Sequence, residues 1–392
     1  MNIIWEKWKE IITHESLKPG LRSSHATCIP YTMGEKLFIL IHESDCDSDY
    51  EAFNLKQIKN AIYKVTGYEV ECEYSKVKEK INLEKSAIKE SLRFALDTLS
   101  YITQNDFQSQ DLNKRSNEDY IIDTVRGKLA EYIFNDFYLS VEKKFTFEID
   151  NKIYKSTIET DNGNDLQIIY NIHDKTYKYF NNLKIDIKAS KKKAQWLLVE
   201  EKKSFSDIYI LVRLEFEEEK FLPPNTINSE KIHDSEYKQK KLNELIDIFS
   251  KNSKNYNGTV VGYAFSSDII DPITNKPWFE FKRAHGLIRK EEVPKIFVQN
   301  PQSLLNLFNE NHVNLQKSLK KLKAKTNYGV PADYLRNSLE DWAFFFSMIR
   351  QNSINAGNTI LNRRFPQLMN NRTKEGIMQR VAEIENYFDK QR

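Results

Sequence analysis

Hydrophobic positions in the first part of the chain change their spacing several times, which predicts a small α/β unit. Helical spacing near Ile4–Ile12 is followed by a loop at Lys18–Ser24 that contains Pro and Gly. A strongly apolar strand is predicted at Lys36–His42, then a helix near Leu55–Val65 and a short strand near Glu69–Glu73. We therefore expect residues 1–80 to form an N-terminal α/β subdomain that takes part in recognition.

Two long amphipathic helices follow, and the apolar period then changes from that of a helix to that of a strand. The helices are predicted at Leu83–Ile102 and Asp119–Tyr138. An insertion at 217–257 carries one helix near Tyr237–Phe249. The predicted strands are Lys144–Glu148, Asp165–Ile172, Lys175–Phe180, Leu183–Ala189, Gln195–Glu200, Ile208–Phe216 and Thr259–Phe265, with His173-Asp174 as a two-residue turn. Residues 81–295 are thus expected to form an α/β core with a central mixed β-sheet flanked by helices.

The last hundred residues are predicted to be mostly helical. They contain a basic stretch, Lys317–Lys325, and an aromatic-rich helix, Leu339–Ile349. We interpret 296–392 as a C-terminal helical region that serves binding or dimerisation.

Composition agrees with a folded chain of two or three structural units. The sequence has 392 residues, of which 40% are apolar and 29% charged, typical of a globular protein. It has no apolar run of about 18 residues, so no membrane span is expected. The N-terminus lacks the apolar segment of a signal peptide, and we expect a cytoplasmic protein. Three cysteines (Cys28, Cys46, Cys72) without a CxxC pair indicate reduced structural thiols rather than disulfides or zinc ligands.

The spacing of particular residues disfavours several kinds of functional site. The seven histidines form no His-x-x-x-His pair. Gly127-Lys128 lacks the upstream glycine of a phosphate-binding loop, and the acidic loop at 42–49 lacks the ligand spacing of a calcium loop.

The segment Ile185-Asp186-Ile187-Lys188 is the main candidate for chemistry. Residues two apart on a strand point to the same face, so Asp186 and Lys188 project together while the isoleucines point into an apolar layer. Taken alone, such a pair is most often a salt bridge on a solvated sheet edge.

Two neighbouring features change that interpretation. Asp165 opens a predicted strand of the same sheet and would bring a second carboxylate alongside, with Asp161 as its rival. Glu131 shares a helix face with the small residues Gly127 and Ala130, which would let this helix lie close to the sheet. Three carboxylates and a lysine form a hard-oxygen site that suits Mg²⁺.

This order of residues resembles the PD-(D/E)xK nuclease superfamily, and within it the type II restriction endonucleases. The resemblance covers roughly residues 119–265 and implies a restriction-endonuclease-like core. It implies that Asp165 is the first motif Asp, that Asp186 and Lys188 are the Asp-x-Lys pair, and that Glu131 is the helix acid. Asn164 stands where the motif has Pro, and an extra hairpin separates Asp165 from Asp186.

The resemblance also implies an activity, partners and products. The expected reaction is Mg²⁺-dependent cleavage of double-stranded DNA that leaves 5′-phosphate ends, with a cognate DNA methyltransferase as genetic partner. A homodimer is expected because two cuts in a symmetric site match a two-fold protein. Alternatives are a repair, recombination or anti-phage nuclease with the same core, and a non-catalytic nucleic-acid-binding protein.

Basic residues near the acid cluster are candidates for DNA contact. Ser190 and the lysines that follow it (Lys191, Lys192, Lys193) come directly after the candidate strand, where a phosphate backbone would lie. Arg22 and the pair Arg363-Arg364 have side chains able to read guanine edges.

Overall fold

The structure is a computed structural model, and it describes most of the first 290 residues together with 326–351. The described residues are 2–33, 36–104, 116–143, 145–151, 153, 164–166, 168–179, 183–192, 194, 196–201, 206–215, 222, 226–228, 230–251, 256–270, 277, 279–282, 286–289 and 326–351.

These residues form a mixed α/β fold, as the sequence pattern predicts. The helices in the described ranges are α1 (Asn2–Glu6), α2 (Trp8–Thr13), α3 (Pro19–Ser24), α4 (Glu51–Thr66), α5 (Lys85–Gln104), α6 (Asn117–Glu142), α7 (Ser235–Lys251), α8 (Ser266–Ile269) and α9 (Leu339–Gln351). The strands are β1 (Ile29–Met33), β2 (Lys36–His42), β3 (Cys72–Val77), β4 (Ile81–Asn82), β5 (Phe145–Phe147), β6 (Ile168–Asn171), β7 (Thr176–Tyr179), β8 (Ile185–Lys191), β9 (Trp196–Glu200), β10 (Ile208–Leu214), β11 (Asn257–Phe265), β12 (Phe279–Lys282), β13 (Gly286–Arg289) and β14 (Thr326–Pro331). Among these helices none has both the length and the apolar character needed to cross a membrane.

The N-terminal sheet is buried on both faces. Strand β2 lies between β1, which is antiparallel to it, and β3, which is parallel. Leu37, Ile39 and Ile41 pack with α2 and α4, whereas Phe38 and Leu40 belong to the main core of the protein. Burial on both faces explains why β2 is an almost continuous apolar run. The unit predicted at 1–80 therefore shares one face of its sheet with the rest of the chain.

Three local predictions in the first half of the chain were wrong. The loop expected at Lys18–Ser24 contains helix α3, because Pro19 occupies its first turn, where proline's fixed φ suits a helix. Strand β3 spans Cys72–Val77 rather than Glu69–Glu73, so it begins and ends later in the sequence than expected. The turn expected at His173-Asp174 is longer, since Asn171 pairs with Thr176 across the β6–β7 hairpin.

The central sheet is mixed, with strand order β4-β11-β10-β8. Strand β10 is parallel to β8 and antiparallel to β11. Helix α6 covers one face through the main core. A second sheet, β13-β12-β14-β9, lies against the other face, where helices were expected. Strand β14 comes from the region predicted to be mostly helical, so that prediction is wrong for Thr326–Pro331.

Helix α6 approaches the central sheet closely, but not for the reason expected. Gly127 faces open space, since a β-carbon there would meet no other atom within 4 Å. The close approach occurs at Gly258 on β11, where a β-carbon would collide with the side chain of Ile133. Ala130 is fully buried in the same core. The glycine needed for this contact is therefore on the sheet rather than on the helix.

Helix α9 is joined to α6 by aromatic packing and by a buried ion pair. Trp342 packs edge-on against Phe137, with ring centroids 4.8 Å apart. Glu142, whose side chain is 0% exposed, accepts hydrogen bonds from Arg350 Nε and Nη2 at 2.8–3.0 Å. The ion pair thus ties the C-terminal end of α6 to the last described helix.

Replacement of Glu142 by alanine is expected to lower the free energy of unfolding by about 3–5 kcal/mol, because it leaves the Arg350 charge without its carboxylate. Urea unfolding followed by circular dichroism measures the loss. Glu90→Ala is the matched control, since it breaks an exposed Glu–Arg pair with Arg93 and should cost about 0.2–1 kcal/mol. Equal losses in the two variants would contradict a stabilising role for the buried pair.

Candidate active site

Asp165 lies at the free edge of the central sheet, hydrogen-bonded to strand β8. Its backbone N–H donates to the Ile185 carbonyl at 2.9 Å, and its Oδ2 accepts from the Ile187 N–H at 2.6 Å. The Asn164 side chain accepts from the Ile185 N–H at 3.2 Å. Residue 164, where the nuclease motif has proline, therefore helps hold Asp165 against the strand.

Asp186 and Lys188 share one face of β8, as predicted. Ile185 and Ile187 point into the main core. On the other face, Lys188 Nζ lies 2.5 Å from Asp186 Oδ2. The exposed fraction is 8% for the Asp186 side chain and 23% for that of Lys188. This is a largely buried ion pair, unlike the solvated pair expected for an ordinary Asp-x-Lys.

Asp165 carries an unfavourable negative charge when ionised. Its burial raises the pKa of the carboxyl well above the ordinary value, and the negative charges of Asp186 and Glu131 raise it further. The hydrogen bond from Ile187 and the charge of Lys188 oppose this rise but do not cancel it. All four residues predicted to form the site therefore interact electrostatically at Asp165.

Lys188 keeps its charge in this setting. Burial lowers the pKa of its ammonium group, but the attraction and hydrogen bond of Asp186, with the charge of Asp165, outweigh burial and leave the pKa raised. Lys188 is therefore a cation and a proton donor at neutral pH. Its chemistry in the resting protein is to hold negative charge rather than to accept a proton.

Glu131 is held in place by a lysine of its own helix. Lys128 Nζ donates to both carboxylate oxygens of Glu131 at 2.9 Å, and it also contacts the Asp150 carbonyl oxygen. The Lys128 ammonium lies 4.7 Å from the ring centroid of Phe94. Glu131 thus influences Asp165 through its charge while its oxygens are bonded to Lys128.

The donor set suits a divalent cation that keeps most of its water. Within the described part of the chain, no three His, Cys, Asp or Glu side chains are arranged so as to hold a metal ion together. Asp165, which is half-buried, and Asp186, which is buried, nevertheless supply two mutually repelling carboxylates. Mg²⁺ is commonly bound by one or two carboxylates and several waters, so these two residues fit it without Glu131 as a direct ligand.

The residues predicted to contact DNA are only partly described. Ser190 lies on the Asp186 face of β8 and donates to the Val212 carbonyl at 3.3 Å. Lys191 and Lys192 are exposed, and Lys192 lies 3.6 Å from Glu215. Arg22 lies on α3 in the N-terminal unit. Lys193, Arg363, Arg364, the stretch Lys317–Lys325 and the alternative acid Asp161 lie outside the described residues.

Two residues of the site were missed by the sequence interpretation. Tyr209 lies beside Asp186 in the parallel register of β10 and β8, and its hydroxyl accepts from the Ser206 N–H at 3.0 Å. Burial raises the pKa of Tyr209. Only the strand register would have revealed it. Lys128 had a local signal, because residues three apart on a helix are neighbours and Glu131 follows it at that spacing.

Comparison with known proteins gives no information on the function of this site. No family model, no curated protein and no solved structure matches this chain.

Proposed function

We propose that this protein is a Mg²⁺-dependent deoxyribonuclease with a restriction-endonuclease-like core, acting as a type II restriction endonuclease on double-stranded DNA. The observation that carries the proposal is the convergence of two aspartates, the half-buried Asp165 and the buried Asp186, with Lys188 at the edge of a mixed sheet. Helix α6, residues 164–166, β8 and β10 follow one another in the order of that core.

Asp165 and Asp186 would hold the ion and Lys188 would face the substrate. Mg²⁺, when bound, supplies charge that polarises the scissile phosphate and lowers the pKa of water. Lys188, which is positively charged, would donate hydrogen bonds to a phosphate oxygen and stabilise the negative charge that builds in the transition state. Asp186 orients the Lys188 ammonium through the 2.5 Å contact.

Glu131 and Tyr209 would support these groups without touching the phosphate. Glu131, bonded to Lys128, adds negative charge near Asp165 and so favours cation binding. Tyr209 packs beside Asp186 and limits water on that side of the ion pair. The proposal also includes a homodimer, a cytoplasmic location and a partner methyltransferase that protects the host DNA.

Incubation of the purified protein with plasmid DNA, with and without Mg²⁺, tests the proposal. Discrete fragments with 5′-phosphate ends that form only with Mg²⁺ are expected. Nicking that depends on branched or damaged DNA would instead favour a repair, recombination or anti-phage enzyme with the same core. DNA that changes its mobility on a gel but is never cut would contradict the enzyme and favour a binding protein.

A further inference from the structure

The register of β8 and β10 extends the candidate site by one more polar position. The two strands are parallel, so the side chains of paired residues lie on the same face. Asp186 pairs with Tyr209, and Ser190 pairs with Arg213. Arg213 therefore lies on the face that carries Asp186 and Lys188, next to Ser190 and roughly 6.6 Å along the strand from the Lys188 position.

Only some of the hydrogen-bond donors of the Arg213 guanidinium have a partner among the described residues. Its Nη2 donates to the Ala194 carbonyl oxygen at 2.6 Å. Its Nε is buried and has no hydrogen-bond partner among the described residues. No carboxylate of the described chain lies within ion-pair distance of it, and Glu215, two residues further on, contacts Lys192 instead. A half-buried positive charge thus lacks a negative partner among the residues that the structure describes.

Arg22, which is also half-buried, likewise has no carboxylate partner among the described residues, but most other arginines of the described chain have one. Carboxylate partners are present for four of them, in the pairs Arg93–Glu90, Arg126–Asp123, Arg336–Asp268 and Arg350–Glu142. A charge removed from water is unfavourable unless it is paired and hydrogen-bonded. Arginine, with its planar fork of donors, is well suited to phosphate. An anion from outside the described residues would supply the partner that Arg213 lacks among them.

We infer that Arg213 binds a backbone phosphate of the nucleic acid, beside the phosphate that faces Lys188. The ligand class rests on the proposed function, because a duplex bound at the β8 edge of the central sheet would bring successive phosphates to Lys188 and then to the Ser190–Arg213 position. The hydrogen bond to Ala194 joins the guanidinium to the segment between β8 and β9, which also contains the exposed Lys192. Arg213 is thus a binding residue that fixes the position of the strand to be cut.

Binding of a fluorescently labelled DNA duplex, measured by anisotropy over a series of salt concentrations with metal chelated, tests this inference. Arg213→Gln and Arg213→Met, which remove the charge, are each expected to weaken binding about tenfold and to reduce the slope of log K against log[salt] by about one. Arg213→Lys, which keeps the charge, should retain the slope. Arg93→Gln, which removes an arginine charge on α5, is the control and should bind like the wild type.

The outcomes separate this inference from the proposed function. Unchanged affinity and slope in Arg213→Gln, even with lowered thermal stability, would show that Arg213 only anchors the β8–β9 turn and would overturn the inference. A wild type that binds no duplex, or neutral variants that both fail to fold, would also overturn it. If the wild type binds duplex with an Arg213-dependent slope but never cuts it with Mg²⁺, the inference stands and the nuclease function fails.

Discussion

Lys188→Ala is expected to lower the rate of Mg²⁺-dependent DNA cleavage by about 10²–10³-fold, the usual cost of removing one hydrogen-bond donor that stabilises negative charge in the transition state. The reason lies in the geometry of β8. Lys188 lies 2.5 Å from Asp186 and interacts electrostatically with Asp165, and its amine is kept protonated by Asp186. Single-turnover cleavage of a plasmid measures the chemical step apart from product release.

DNA binding by Lys188→Ala should change far less than its cleavage rate, since one phosphate contact among many is removed. Lys238→Ala is the matched control. Lys238 makes an equally short ion pair, 2.6 Å from Asp97, with a similarly exposed side chain on α7. Cleavage by Lys238→Ala at the wild-type rate, with Lys188→Ala inactive, would assign the effect to the site. Cleavage at the wild-type rate by Lys188→Ala would contradict the proposed role.

Asp165→Asn is expected to lower the cleavage rate by about 100-fold or more, while making the metal-free protein more stable at neutral pH. Loss of a charged ligand removes several kcal/mol of charge stabilisation from the metal-assisted step. The gain in stability arises because asparagine can still accept the Ile187 hydrogen bond but carries no buried charge. A gain of about 1–3 kcal/mol corresponds to the usual cost of a poorly compensated buried polar group.

The pH dependence of this gain has a definite sign. Because the pKa of Asp165 is higher in the folded than in the unfolded state, folding takes up a proton between the two values. The free energy of unfolding of the wild type therefore falls as pH rises from the ordinary pKa of an aspartate to the raised one. Asp165→Asn has no such decline, so its advantage grows through this window and is constant above it.

Thermal unfolding in a chelator, repeated over a pH series, measures this difference. Addition of Mg²⁺ should then raise the melting temperature of the wild type but not that of Asp165→Asn, because ligand binding stabilises only a folded state that has the site. Asp97→Asn, at an exposed carboxylate paired with Lys238, is the control and should show neither effect. A destabilised Asp165→Asn whose deficit grows with pH would contradict the unfavourable charge at this position.

The strand that carries the candidate site could be predicted because its sequence has two independent signals. Alternation of Ile185 and Ile187 with polar residues fixed both the strand and the face that Asp186 and Lys188 share. Helix α6 was predicted from its apolar stripe and begins a little earlier, at a Ser116 side chain that accepts from the Asp119 N–H. Asp165 was predicted to open a strand of the same sheet as β8, and this was wrong, because that strand, β6, begins at Ile168 and belongs to the separate sheet β5-β6-β7. Asp165 reaches β8 through its own hydrogen bonds with Ile185 and Ile187.

The features that were missed depend on contacts between distant parts of the chain. Strand β14 belongs to a sheet only because β9 and β12 lie on either side of it, and its own sequence is short and contains Gly329 and Pro331. Tyr209 and Arg213 gained their positions from the parallel register with β8, which no local pattern specifies. The glycine that lets α6 approach the sheet, Gly258, is far from that helix in sequence.

The central claim is that Asp165 and Asp186 together bind a divalent cation. The most direct measurement is a titration of Mn²⁺ into the wild type and into the double variant Asp165→Asn/Asp186→Asn. Electron paramagnetic resonance detects the bound and free Mn²⁺. We predict a site in the wild type that is lost in the double variant, is displaced by Mg²⁺ and is retained in the control Asp97→Asn. Mn²⁺ binding of equal affinity and stoichiometry in the wild type and the double variant would contradict the claim, and with it the proposed nuclease chemistry.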